Sequence, residues 1–181
     1  LHTTNKTFIP SAVIIAGWSG SGKTTFLEKL LPLLKKKNLK VGTVKHHHAA
    51  LEIDKEGKDT YRHRKAGADR TIISSPDNVA IMMGSDHDPL LDELLPFMQG
   101  MDIVIVEGYK RERRPKIEIF RSDVHEKPRF LNDPDLIAIA SDTKLDLNVP
   151  VFDLNNPEGV ADFICKYFNL SPVAETADPK P

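Results

Sequence analysis

The chain has 181 residues, enough for one α/β domain with a sizeable core. Its 25 basic residues stand against 26 acidic ones, a balance that excludes a global field for nucleic acid and leaves anion binding to local patches. A lone cysteine, Cys165, excludes an internal disulfide and suits a reducing compartment; with no secretory signal and no apolar run of bilayer length, a soluble cytoplasmic protein is expected, with neither nucleic-acid nor membrane partners.

The chain opens at Leu1 rather than methionine, and residues 1–7 are read as a trimmed end. Five short apolar runs follow, at 12–16, 41–44, 71–73, 103–106 and 136–140. Each is nearly continuous rather than alternating, the pattern of parallel strands covered on both faces. Between the first two, Phe26, Leu27, Leu30, Leu31 and Leu34 mark one face of a helix, with Pro32 inside it as a source of a kink. A short helix is expected over 61–67, capped by Thr60. Leu90, Leu91, Leu94, Leu95 and Met98 repeat the helical spacing, with Pro96 internal and Gly100 closing the segment. Residues 79–83 and 117–120 read as further strands, the latter alternating enough to suggest a sheet edge. A strand at 151–154 and a helix at 157–168, with Cys165 at a buried position, complete the order. The alternation of strands and helices predicts an α/β fold, a doubly wound, mainly parallel sheet with helices on both faces. One domain over 8–170 is expected, followed by a polar, proline-rich disordered tail at 171–181.

The stretch Gly17-Trp18-Ser19-Gly20-Ser21-Gly22-Lys23-Thr24-Thr25 fits the phosphate-binding pattern GxxxxGK[ST], and it stands between an apolar strand and an amphipathic helix, where that pattern carries meaning. Glycines let successive amides turn inward toward phosphate oxygens, and the start of the following helix adds its positive end. Lys23 is placed to reach the β and γ phosphates, and the Thr24 hydroxyl to hold Mg²⁺. Neither Trp18 nor Ser19 is a lysine, which separates this loop from the partition-type variant with a second lysine.

Ligands of an open parallel sheet gather beyond the carboxyl ends of its strands. Glu107, closing the run 103–106, is therefore the acidic partner expected to support Mg²⁺, through water because its side chain is longer than the usual aspartate. Lys45 faces phosphate after the second run. His46, His47 and His48 invite a metal site, but adjacent residues of an extended segment alternate sides, so a polar pocket lining or loop is the stronger reading. Asp54, Lys58 and Asp59 fall in a loop suited to sensing phosphate, with either aspartate a candidate for orienting water. Two basic clusters, Arg62 with Arg64 and Lys65, and Lys110 with Arg111, Arg113, Arg114 and Lys116, read as solvated faces, though the second follows Glu107 directly and is placed to grip a second phosphorylated ligand or an acidic partner. The tetrad Thr143-Lys144-Leu145-Asp146 is a weak match to the base-reading motif of guanine nucleotide proteins, two residues too far from its strand.

Together these pieces resemble the molybdopterin-guanine dinucleotide biosynthesis protein B family of P-loop GTP-binding proteins. The resemblance rests on residues 17–25; Lys45, His46 and His48; Asp54, Gly57, Lys58 and Asp59; Tyr61 with Arg64, Lys65, Ala66 and Gly67; Val106, Glu107 and Gly108; and Pro115, Lys116, Ile117 and Glu118. Where that family has histidine then aspartate after His48, this chain has Ala49 and Ala50, which weakens a metal or proton-transfer role for the segment. The resemblance implies a P-loop NTPase fold and a homodimeric accessory protein using GTP and Mg²⁺. It further implies feeble hydrolysis in support of the guanylyltransferase that joins GMP to molybdopterin, with molybdopterin itself a candidate ligand. Glu107-Gly108 is also similar to dethiobiotin synthetase. A small-molecule P-loop kinase and a nickel-delivery GTPase are the alternative readings.

Overall fold

The computed structural model describes residues 9–47, 49 and 54–171. His48, residues 1–7 and the chain beyond Ser171 lie outside the described residues. The chain divides into two compact units, one built from the chain up to His46 together with the chain from Leu91 onward, the other His47–Leu90.

The larger unit is a six-stranded sheet. Strands β1 (Ser11–Ala16), β2 (Val41–Lys45), β5 (Ile103–Glu107), β6 (Lys116–Phe120), β7 (Leu136–Ser141) and β8 (Val151–Asp153) run in the order β2-β5-β1-β6-β7-β8. Every pairing is parallel, so all six carboxyl ends open on one edge. Apolar side chains cover both faces. Val13 and Ile15 of β1 pack with Phe26, Leu30 and Leu34 of helix α1 (Lys23–Lys36) and Val160 and Ile164 of α4 (Glu158–Tyr167). Ala12, Ile14 and Ala16 face the other way, against Leu91 and Leu95. Alternating β1 residues thus feed two cores, as a strand buried on both sides must. Helix α1 runs through Pro32 to Lys36, and beyond its cap Lys37 the φ of 58° at Asn38 lets the Leu39 amide bond back to the Leu34 carbonyl.

The smaller unit holds helix α2 (Asp59–Lys65) and an antiparallel ribbon of β3 (Arg70–Ser74) and β4 (Val79–Met83).

Five local expectations change. The run at 71–73 is not a covered parallel strand: it pairs only with β4, and of β3 only Thr71 is buried. Residues 117–120 are not near an edge: β6 lies between β1 and β7 with all five residues buried. The helix expected over Leu90–Met98 is a short α3 (Leu91–Leu94) followed by a 3₁₀ turn, Leu95–Met98, because Pro96 lacks the amide that would continue the α ladder. Helix α2 begins at Asp59 after Lys58, so Thr60 is within it rather than its cap. Cys165, expected at a buried position, is only half-buried.

Candidate functional site

The loop after β1 takes its shape from three glycines with φ of 140°, 78° and 85° at Gly17, Gly20 and Gly22. At Gly17 the constraint is also steric: a Cβ there would sit 2.5 Å from the Ile119 carbonyl oxygen and 2.9 Å from Ser21 Oγ. The loop is therefore pressed onto β6. Gly22 leads into α1, whose first turn carries neither a side-chain cap nor an acidic residue, leaving its amides for an external acceptor.

Lys23 folds back over the loop, its Nζ donating to the Trp18 carbonyl at 2.7 Å and the Gly17 carbonyl at 3.4 Å. Burial lowers its pKa from the ordinary lysine value; Glu107 opposes that shift, while Arg129, Lys110 and Lys45 add to it. Thr24 Oγ1 lies 3.4 and 3.5 Å from the two Glu107 carboxylate oxygens, and Lys45 Nζ is 3.6 Å from Glu107 Oε2. Register explains the convergence, since Glu107 pairs with Ile15 on one side and Lys45 on the other, placing it one strand from the loop.

A triphosphate with Mg²⁺ fits these residues. Ser21 Oγ is fully buried within the glycine loop without a hydrogen-bond partner, so a donor waits there for an acceptor. Thr24 and Glu107 offer oxygen donors, the ligands Mg²⁺ takes, and their mutual separation exceeds an ordinary O–H···O bond.

Other expected residues fall elsewhere. His46 is half-buried, its amide bonded to the Glu107 carbonyl at 2.8 Å and its ring 4.5 Å from Tyr109. A Cβ on Gly108 would meet His46 Cβ at 2.7 Å, so Gly108 is the residue that lets this histidine close in. Among the described residues no group of three or more His, Cys, Asp or Glu converges as a metal site. Ser19 and Thr25 are exposed on the loop and first helical turn. Lys116 is not at the loop: its ammonium is buried beside Asp133 and Asp135, at 3.2 and 3.6 Å, and donates to the Glu112 carbonyl at 2.7 Å. Arg113 pairs with Asp135 and Arg114 with Asp92, so three of the five cations in that cluster are spent on internal carboxylates. Asp54, Lys58 and Asp59 belong to the smaller unit. There Asp54 Oδ1 accepts from Thr60 at 2.8 Å and its Oδ2 lies 3.6 Å from Arg64; Lys58 is exposed just before α2; Asp59 pairs with Arg62 at 3.6 Å.

The segment after β6 supplies contacts that motif reading missed. The Trp18 ring stacks on His125, with centroids 5.1 Å apart, and carries the Arg129 guanidinium 4.6 Å from its centre. Trp18 Nε1 donates to the Lys127 carbonyl at 3.2 Å, and His125 Nε2 lies 3.2 Å from the Ser19 carbonyl oxygen. Arg121 Cδ comes within 3.9 Å of where a Gly22 Cβ would stand. The segment is anchored from below by the fully buried Glu118, whose carboxylate accepts the Arg129 and Phe130 amides at 2.6 and 2.9 Å. A buried glutamate followed some ten residues later by arginine carries no local periodicity, so only the fold brings them together.

A curled glycine loop between a central parallel strand and a buried helix, with lysine, threonine and a strand-end carboxylate converging on it, defines a protein of the P-loop NTPase fold. The family model described as "Molybdopterin guanine dinucleotide synthesis protein B" matches residues 12–142. A molybdopterin-guanine dinucleotide biosynthesis adapter protein of Escherichia coli is 41% identical over 169 residues, covering 90% of this chain and 95% of its own. The adapter protein of that name from Haemophilus influenzae is 38% identical over 152 residues, covering 83% and 85%. The crystal structure of Bacillus subtilis MobB is similar in fold, with a TM-score of 0.67 and 28% identity over 86% of this chain and 96% of that one. The chain belongs to the MobB family.

Proposed function

We propose that this chain is a GTP- and Mg²⁺-binding accessory protein of molybdenum cofactor biosynthesis, acting in the cytoplasm beside the guanylyltransferase that forms molybdopterin guanine dinucleotide. The observation that carries the nucleotide reading is the convergence of Lys23, Thr24, Lys45 and Glu107 on one loop, within reach of an unpartnered, buried Ser21 hydroxyl. The accessory role is supported by family membership and by the relatives' printed names. No described helix is long and apolar enough to cross a membrane.

Bound Mg²⁺ would draw charge from the phosphate oxygens. The chain's own part is to bind and orient: the loop amides take the phosphates, Lys23 turns from the Trp18 carbonyl to the β and γ phosphates, and Thr24 and Glu107 hold the cation, Glu107 through water. Hydrolysis is slow in this reading, because Arg129 is occupied by the Trp18 ring rather than extended as a transition-state finger. The protein is a homodimer whose second copy covers the β3–β4 ribbon. Ile72, Ile73, Val79, Ile81 and Met83 are 42–67% exposed there, and a two-stranded ribbon alone is marginal in water.

Titration calorimetry with GTP and Mg²⁺ tests the site. Lys23→Ala removes two charge-assisted contacts to phosphate and should weaken binding about 100-fold or more. Unchanged affinity would remove the assignment.

A further inference from the structure

Directly beyond the Glu107 carboxylate the chain makes two successive left-handed residues, Gly108 with a φ of 97° and Tyr109 with a φ of 47°. Glycine adopts that backbone freely, but a tyrosine held there is strained and keeps the conformation only where its surroundings impose it. Here they do. The Tyr109 ring lies 4.5 Å from that of His46 and packs on the core built from Ala12, Ile14 and Val106. Its carbonyl accepts the Glu112 amide at 2.9 Å, closing a turn over residues 109–112. With that ring turned inward, the next side chain, Lys110, is exposed. It stands three residues past Glu107, so their Cα atoms are no more than about 11 Å apart.

Lys110 is a cation without a counter-charge. Arg113, Arg114 and Lys116 of the same stretch pair with Asp135, Asp92 and Asp133, whereas Lys110 makes no ion pair among the described residues. It stands instead near another cation. After burial, the charges of Arg129, Lys110 and Lys45 lower the Lys23 pKa, with Glu107 opposing them. Two of these three have local partners, the Trp18 ring for Arg129 and the Glu107 carboxylate, at 3.6 Å, for Lys45. Lys110 is the uncompensated one. Like charges gathered in this way repel, and an anion lying between them relieves the repulsion.

We propose that the Gly108–Tyr109 turn aims Lys110 at the terminal phosphate of the nucleotide, making it the residue by which this site prefers a nucleoside triphosphate to a diphosphate. The proposal rests on the phosphate-loop reading and adds to it a discrimination between two states of the ligand. Thr24 and Glu107 meet on the β5 side of the loop, and a cation held there bridges β and γ oxygens, so the terminal phosphate is drawn toward the strand end that carries Lys110. A diphosphate leaves Lys110 facing Lys23 with nothing between them. Loss of Lys110 is therefore felt by one ligand, and loss of Lys23, which serves both phosphates, by the two together.

Calorimetry of the full chain with Mg²⁺ and either GDP or a GTP analogue carrying an imido bridge between its β and γ phosphates tests this without turnover. The unaltered protein should bind the triphosphate at least about tenfold more tightly. Lys110→Ala should weaken the triphosphate about tenfold and leave GDP within about twofold, the loss expected for one hydrogen bond to a charged group. Lys110→Arg, which keeps the charge, should retain most of the preference. Arg111→Ala, at an exposed neighbour that is not among the charges acting on Lys23, should change neither affinity. Tyr109→Gly relieves the backbone strain and frees the turn; it should cost triphosphate affinity a few-fold alone and nothing further beside Lys110→Ala. Additive losses in that pair would overturn the aiming role of the turn. Equal affinity of the unaltered protein for both ligands, or a preference that survives Lys110→Ala, overturns the assignment of Lys110 and leaves the phosphate loop standing. A loss shared equally by GDP overturns it as well, since it marks a general field rather than a contact with the last phosphate. Absence of binding to either ligand overturns both readings.

Discussion

At the scale of single residues, burial and partnering decide what a charge is for. Glu118 and Lys116 are buried on the same strand, yet neither reaches the phosphate loop directly: Lys116 neutralises Asp133, and Glu118 tethers two backbone amides. Burial raises the Glu118 pKa above the usual carboxylate range, against the pull of the Arg129 and Phe130 amides. The folded state then binds this proton more tightly than the unfolded chain. Its stabilising contribution is complete below the ordinary carboxylate pKa and is lost as pH rises through the raised folded value. Glu118→Gln cannot titrate and turns one N–H toward an amide donor. Thermal melts across that window should show the variant about 1–3 kcal/mol less stable at the acidic end, with the gap narrowing as pH rises. The glycine loop at residues 17–25 was legible in the sequence because its curl is made by local backbone geometry. Lys116 was not, since its partners Asp133 and Asp135 come from a distant turn.

Secondary-structure elements were legible wherever burial was uniform. Strands β1, β5 and β7 are unbroken apolar runs and were found within a residue or two of their ends. Strand β6 misleads because its alternation, Lys116-Ile117-Glu118-Ile119, has the pattern of a half-solvated edge, whereas both polar side chains are buried with partners of their own. The segment following β6 is the element no motif announces. Its Arg129, His125 and Lys127 grip Trp18 and hold the loop in shape before any ligand arrives. Arg129→Ala should lower stability by about 0.5–1 kcal/mol, the scale of an exposed cation–π contact, and weaken GTP binding a few-fold. Arg129→Lys, which keeps the charge but not the planar guanidinium, should recover only part of either loss. Denaturant unfolding and calorimetry read the two effects separately.

At the scale of the whole molecule, the open parallel sheet follows from alternating apolar strands and helices, and the relatives share it. The division into two units was not legible, because 71–73 reads as a core strand until its single antiparallel partner is seen. If a second copy covers the ribbon, Ile72→Asp with Ile81→Asp should halve the mass found by light scattering and leave GTP affinity unchanged. A monomeric unaltered protein would contradict that arrangement.

The indole at position 18 is the only one in the chain. It is held against the backbone that would wrap the phosphates, between an imidazole and a guanidinium. Its ultraviolet emission is therefore an unlabelled optical probe of that backbone, and would report arrival and departure of the proposed nucleotide in a stopped-flow cell with no dye attached.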